Sequence, residues 1–176
     1  FPYTTLFRSY FEETPLKESL AATLQQLQLD GDVNARLHLD IPLDGEMTTA
    51  KGDVRLKNNS LYIKPLESTL KNLSGQFSFE NGNLKSEPLT ASWFNQPVNI
   101  DFTTTEGEKA YQVAVNLDGN WQPARMDVLP KPIEASVEGA VAWQGKVAID
   151  LPYHAGAQYK VDITGDLKNL RKIGRA

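Results

Sequence analysis

Val33-Asn34-Ala35-Arg36-Leu37-His38-Leu39-Asp40-Ile41 decides the fold class, because every odd position is apolar and every even one polar. Successive side chains of an extended chain point to opposite faces, so this stretch is a strand with one dry and one wet face. The same alternation returns in Leu61/Ile63, Phe77/Phe79, Val98/Ile100/Phe102 and Tyr111/Val113/Val115/Leu117. It appears again in Val147/Ile149/Leu151 and Tyr159/Val161/Ile163. Turn-forming pairs punctuate these runs at Asn58-Asn59, Asn81-Gly82, Glu106-Gly107 and Gln144-Gly145. Asn-Gly between alternating runs is a hairpin signal, since both residue types accept positive φ. The pattern predicts about ten strands in an antiparallel meander.

Working outward, an apolar–Gly–apolar pattern repeats loosely in Leu29-x-Gly31-x-Val33, Leu73-x-Gly75-x-Phe77 and Leu117-x-Gly119-x-Trp121. Val137-x-Gly139-x-Val141 and Ile163-x-Gly165-x-Leu167 share it, and Ala50-x-Gly52-x-Val54 is a weaker copy. Glycine inside a strand marks a bulge, a bend or a close backbone approach. Its recurrence predicts a sheet that curls at the same edge each time. The segment 121–133 carries Pro123, Pro130 and Pro132, which no central strand tolerates. It reads as a rim loop or as a boundary between two β units. The one helical pattern is 15–28, capped by Thr14, opened by Pro15 and striped by Leu16, Leu20, Leu24 and Leu27. Such a stripe suits a lid on a sheet better than a membrane helix, because it lacks a basic flank and an aromatic anchor.

The two ends read differently from the rest. Residues 1–9, Phe-Pro-Tyr-Thr-Thr-Leu-Phe-Arg-Ser, resemble an in-frame translation of a short-read sequencing adapter. Residues 172–176, Lys-Ile-Gly-Arg-Ala, resemble a translation of its opposite strand. Both are set aside as adapter scars, which makes residues 10–171 an internal fragment of a longer protein. Removing Arg8, Lys172 and Arg175 from the 18 basic residues leaves 15 against 22 acidic ones. A surface for phosphate backbones needs the opposite sign, so no nucleic acid is expected as a partner.

Chemistry is sparse. The chain has no cysteine, hence no disulfide, thiolate metal site or cysteine nucleophile. His38 lies on the wet face of its strand and His154 in a Pro-Tyr-His-Ala-Gly turn, without HxH or HExxH spacing. There is no Gly-x-Ser-x-Gly elbow and no glycine-rich phosphate loop. Asp30-Gly-Asp32-x-Asn34 faintly echoes a calcium loop but lacks the closing glutamate, since the twelfth position is Ile41. No catalytic residue, no metal site and no cofactor is expected.

What remains is the dry face. A sheet that presents a Val/Leu/Ile/Phe row on every strand must cover that row. A closed sandwich or barrel core does so. So does an open trough on the order of 15–20 Å across that holds a greasy ligand. The residues alone leave both open and favour the closed core.

Three stretches carry a family likeness: Gly52–Ile63, Leu73-Ser-Gly-Gln-Phe-Ser-Phe-Glu-Asn-Gly-Asn-Leu84, and Leu89-Thr-Ala-Ser-Trp-Phe-Asn-Gln-Pro-Val98. Together they resemble the AsmA-like proteins, with Asn95 in place of the usual glycine before the Pro97 step. The segment 131–166, with Gly139-Ala-Val-Ala-Trp143 and Leu151-Pro-Tyr-His-Ala-Gly156, resembles an enterobacterial branch of that family. The likeness covers nearly all of residues 14–170.

The resemblance implies a mainly β fold: a curled antiparallel meander forming an open, taco-like groove, with one short N-terminal amphipathic helix. It implies a periplasmic segment of an inner-membrane-anchored protein of a Gram-negative bacterium, one of the bridge-like lipid transfer proteins. Phospholipid and the flanking repeats of the same full-length chain are then its partners. A structural β domain of envelope assembly, with its core closed, is the alternative. The family has no catalytic residues to carry over. The candidate groove lining is Val33, Leu37, Leu39, Phe77, Phe79, Val98, Ile100, Phe102, Val113, Val115, Val147, Ile149, Val161 and Ile163.

Overall fold

A computed structural model describes residues 27–126 and 137–172. Among these the predicted alternation becomes β1 (Leu27–Asp30), β2 (Val33–Asp40), β3 (Thr49–Ile63), β4 (Ser68–Glu80), β5 (Asn83–Ser86) and β6 (Leu89–Trp93). There follow β7 (Gln96–Glu106), β8 (Ala110–Trp121), β9 (Val137–Glu138), β10 (Val141–Pro152), β11 (Gln158–Asp166) and β12 (Arg171–Lys172). Every pairing is antiparallel. Short 3-10 turns at Lys64–Leu66 and Pro123–Arg125 are the only helical elements among the described residues. The expected helix 15–28 lies outside them except at its end. There Leu27 and Gln28 are strand, because they pair with Ile63 and Tyr62.

Several strands are halves of one bent span. β1 and β2 both pair with β3, while β5 and β6 both lie between β4 and β7. β9 and β12 pair beyond the β10–β11 hairpin. Counted this way the described residues form an eight-span meander in sequence order. β8 pairs with β10 from Trp121↔Val141 to Ala110↔Pro152, so one sheet holds both sides of the proline-rich segment.

The bends of the first four spans line up into a crease across the sheet. The first span breaks at Gly31, with φ 104, and the fourth at Glu87-Pro88. Between them β3 slips register on both sides of Asn59, and β4 slips between Lys71 and Ser74. Asn58 and Asn72 take left-handed φ of 52 and 53, and Gly75 takes 136. Neighbouring bends touch: Gly31 sits against Asn59, the Asn58 N–H donates to Ser74 Oγ at 2.9 Å, and Gly75 packs on Leu89.

A one-residue slip turns the inward set of side chains over, and the bulges use this. In β3 the buried positions are Val54 and Leu56 before the crease, then Asn59 after it. Asn59 is fully buried and holds the bend together. Its Nδ2 donates to the carbonyls of Asp30 and Asp32, and its Oδ1 accepts from the Lys57 N–H at 2.8 Å.

Two expectations are thereby corrected. Asn58-Asn59 is not a turn but a bulge within β3, since Asn accepts the left-handed φ that a bulge needs. Gln144-Gly145 is likewise inside β10, where Gly145 leaves room for Leu117 and Trp143. The Asp30-Gly-Asp32 segment is a strand kink whose carbonyls are bonded to Asn59. By contrast, Asn81-Gly82 does join β4 to β5, with Asn81 at φ 52, and Gly107 opens the β7–β8 loop.

The glycine repeat also divides by role. Gly31, Gly75 and Gly139 bend strands at positive φ. Gly119 and Gly165 instead flank Trp143 in register on neighbouring strands.

Candidate functional site

Directly paired residues of antiparallel strands share a face, so the register decides which side chains stand together. One row runs Ala35–Val54–Phe77–Ser86, and Ser86 Oγ accepts from the Phe102 N–H at 2.8 Å. From Phe102 the row continues Val115–Val147–Val161 to the last long strand. A second row runs Leu37–Gly52–Phe79–Leu84, and a third Thr104–Val113–Ile149–Tyr159. A fourth joins Ile100, Leu117, Gly145 and Ile163. Val33 stands opposite Leu56, Leu39 opposite Ala50, and Val98 opposite Ala91. The register thus carries every one of the fourteen candidate positions on a single apolar face.

The opposite face is polar and internally bonded. Asn99 Nδ2 donates to Asp118 Oδ2 at 2.9 Å, and Asn116 Nδ2 to Asp101 Oδ1 at 2.8 Å. His38 stands there opposite Lys51, and His154 is exposed in its turn. Among the described residues no three His, Cys, Asp or Glu side chains come together as a metal site.

Burial divides the apolar face. Around the crease, Leu73, Phe79, Leu89, Val98 and Ile100 pack into one cluster with Val54, Leu56, Leu70 and Ala91, and Val98 is only 2% exposed. Phe77 and Phe102 meet over the small Ser86, ring centroids 5.6 Å apart. Toward β11 the face opens. Val113, Val115, Val147 and Ile149 are half-buried, while Val161 and Ile163 are 57% and 70% exposed. At the other edge Val33 and Leu39 are exposed as well.

Two rims bound the face where the strands turn. At the first, Tyr111 donates its hydroxyl to the Gly82 carbonyl at 2.7 Å and lies 2.6 Å from Thr104 Oγ1. Burial, more than any other cause, pushes its phenol above the ordinary value, the Thr104 hydrogen bond works against this, and the Glu106 charge adds to it. Tyr153 donates to the Gly107 carbonyl at 2.7 Å, and its phenol is raised by desolvation and then by Glu106.

At the second rim Trp93, Phe94, Trp121 and Trp143 gather. Trp93 stacks on Phe94 at 4.9 Å, and Trp121 meets Trp143 edge-on at 4.7 Å. The Trp93 indole donates to Ser68 Oγ and that of Trp121 to the Pro97 carbonyl. Phe94 and Asn95 both take positive φ, 51 and 59, in the two-residue turn between β6 and β7. A bulky aromatic residue rarely stays there, and here the stack on Trp93 holds it. Gly119 makes the cluster possible, because a Cβ there would stand 2.8 Å from both the Trp121 and Trp143 indole nitrogens.

Sequence reasoning set Tyr111 and Leu151 in the alternating runs but left both, with Leu73 and Leu89, off the candidate lining, and it missed this aromatic rim. The three indoles are 22 to 50 residues apart in sequence, and no local pattern links them. The available signal was the glycine repeat, whose members at Gly119 and Gly165 seat Trp143.

A family model described as YhdP protein matches residues 4–172. The chain is similar to a curated protein of Escherichia coli (strain K12), the intermembrane phospholipid transporter YhdP, with 73% identity over 161 residues. That match takes in 92% of this chain but only 13% of the relative's length. No solved structure matches. With a family match over nearly the whole chain and so high an identity to a curated member, the chain belongs to the YhdP protein family.

Proposed function

We propose that this chain is a stretch of a periplasmic trough whose apolar face shields phospholipid acyl chains between the inner and outer membranes. The observation that carries the reading is the row Phe102–Val115–Val147–Val161. It stays apolar across four strands, and its last member is more than half exposed. Exposed apolar area in register with buried area is costly in water, at about 25 cal/mol per Å², and acyl chains would cover it. The name of the similar Escherichia coli protein supplies the cargo class, a phospholipid. Each two-residue step along a strand adds one lining position, so the face matches a flexible chain better than a shaped polar substrate. A closed structural core accounts for the creased part of the sheet alone. The candidate lining, the anchoring in the inner membrane and the flanking repeats belong to this proposal.

A photo-reactive residue placed at Val115 or Val161 should crosslink phospholipid, while one at Asn116 on the wet face should not. Equal labelling of both faces, or none from any dry-face position, would overturn the proposal.

A further inference from the structure

The two rims of the apolar face differ in charge as well as in aromatic content, and we infer from this that a bound phospholipid lies with its phosphate toward the tryptophan rim. The inference rests on the lipid-shielding reading above and adds an orientation to it. The rim at Tyr111 is acidic. Its loops and strand ends carry Asp40, Asp44, Glu46, Glu80, Glu106 and Glu108 against Lys51, Lys109 and His154. Among the described residues the tryptophan rim is close to charge-balanced. Lys64, Arg125, Lys168 and Arg171 stand there against Glu67, Glu138 and Asp166, and Lys168 Nζ lies 3.9 Å from Asp166 Oδ2.

A phosphodiester carries a negative charge, so the acidic rim repels it while the other does not. Indole rings prefer the zone where one side is apolar and the other wet, which for a lipid is the glycerol and ester region. Trp93, Trp121 and Trp143 are half-buried at that border. Charge and ring chemistry thus select the same rim independently. The acyl chains then extend from the tryptophan rim across the rows of Val115 and Val147 toward Tyr111.

The three tryptophans are the only ones in the chain, and all sit in this cluster. Indole fluorescence of the 176-residue chain therefore reports on the rim alone. The chain is loaded with phosphatidylglycerol brominated either next to the acyl ester or near the methyl end, and bound lipid is counted by native mass spectrometry. Quenching by ester-proximal bromine is expected to exceed that by methyl-end bromine about twofold or more, since quenching needs near contact with the ring.

Bound lipid with equal quenching from both positions, or stronger quenching from the methyl end, would overturn the orientation and leave lipid shielding standing. No bound lipid from either preparation would sink the shielding proposal itself. Neutralising exposed acids of the far rim, as Glu46→Gln with Glu108→Gln, should reduce the quenching ratio without unfolding the sheet. An unchanged ratio would remove charge as the cause.

Discussion

The creased half of the sheet, from β1 to β6, and the smooth half, from β7 to β11, are built from the same alternating pattern and end in different states. In the smooth half, registers run without a slip for eight to twelve residues. The inward side chains then form straight rows whose exposure grows toward β11. In the creased half each span bends at one line, and the inward parity turns over in β3. Its side chains face one another across the bend and bury themselves. The apolar content is not what separates an enclosed core from an accessible face here. The backbone breaks do that, and they rest on a few residues with left-handed φ.

A charge placed in each half should separate them most widely. Leu89→Asp, in β6, puts an unpaired carboxylate at a site 3% exposed and should cost about 4 kcal/mol or abolish folding. Val161→Asp, on the open part of the same face, should change stability by less than about 1 kcal/mol and yet lose most lipid crosslinking. Urea unfolding with crosslinking yield checks the pair, and equal destabilisation would erase the distinction. Glycine substitutions come next. Gly75→Val meets both φ 136 and Leu89 Cδ2 at 2.5 Å, so a loss of about 3 kcal/mol is expected. Gly145→Ala in the smooth half meets its nearest neighbour, Trp143, at 3.3 Å and should cost under about 1 kcal/mol.

The division between the halves was only partly legible in the sequence. Period-two alternation gave the sheet, the meander and the shared face of all fourteen candidate positions, because faces depend only on local spacing. The crease was hidden because Asn58-Asn59 resembles a turn. The same left-handed φ serves a hairpin and a bulge. A physical clue was present: Val54 and Leu56 are even-numbered while Leu61 and Ile63 are odd, and one continuous strand can keep both inward only by inserting a residue. Burial itself was not legible, since Val98 and Val161 sit in equally apolar runs and differ only in what the bend brings opposite them. The aromatic rim depends on strand ends that meet only after the sheet has formed.

Asn59 tests whether the bulge needs its side-chain bonds or only its backbone. Asn59→Ala leaves the carbonyls of Asp30 and Asp32 and the Lys57 N–H without their shared partner, with a cost of about 2 kcal/mol. Asn59→Asp keeps the acceptor for Lys57 but loses the donor, so it should recover little of the loss. Thermal unfolding of the two variants decides between these accounts. Full stability in Asn59→Ala would mean that the crease is set by Gly31, Asn72 and Gly75 alone.

The smallest effect concerns the tie between the halves. Tyr111 in β8 reaches past β7 to the Gly82 carbonyl in the turn between β4 and β5, so one hydroxyl joins the smooth half to the creased one. Tyr111→Phe keeps the ring's packing against Leu151 and removes only that bond, a loss of about 1 kcal/mol at neutral pH. The sign of its pH dependence follows from the raised phenol. The folded state favours the neutral hydroxyl, so the contribution is complete below the ordinary tyrosine value near 10. It fades as pH rises through that value toward the higher folded one, because the unfolded chain releases its proton first. Wild-type stability should therefore fall more steeply above that point than the stability of Tyr111→Phe. Parallel slopes in urea titrations on both sides of it would show that the hydroxyl adds nothing to the ladder of β6 and β7 that already joins the two halves.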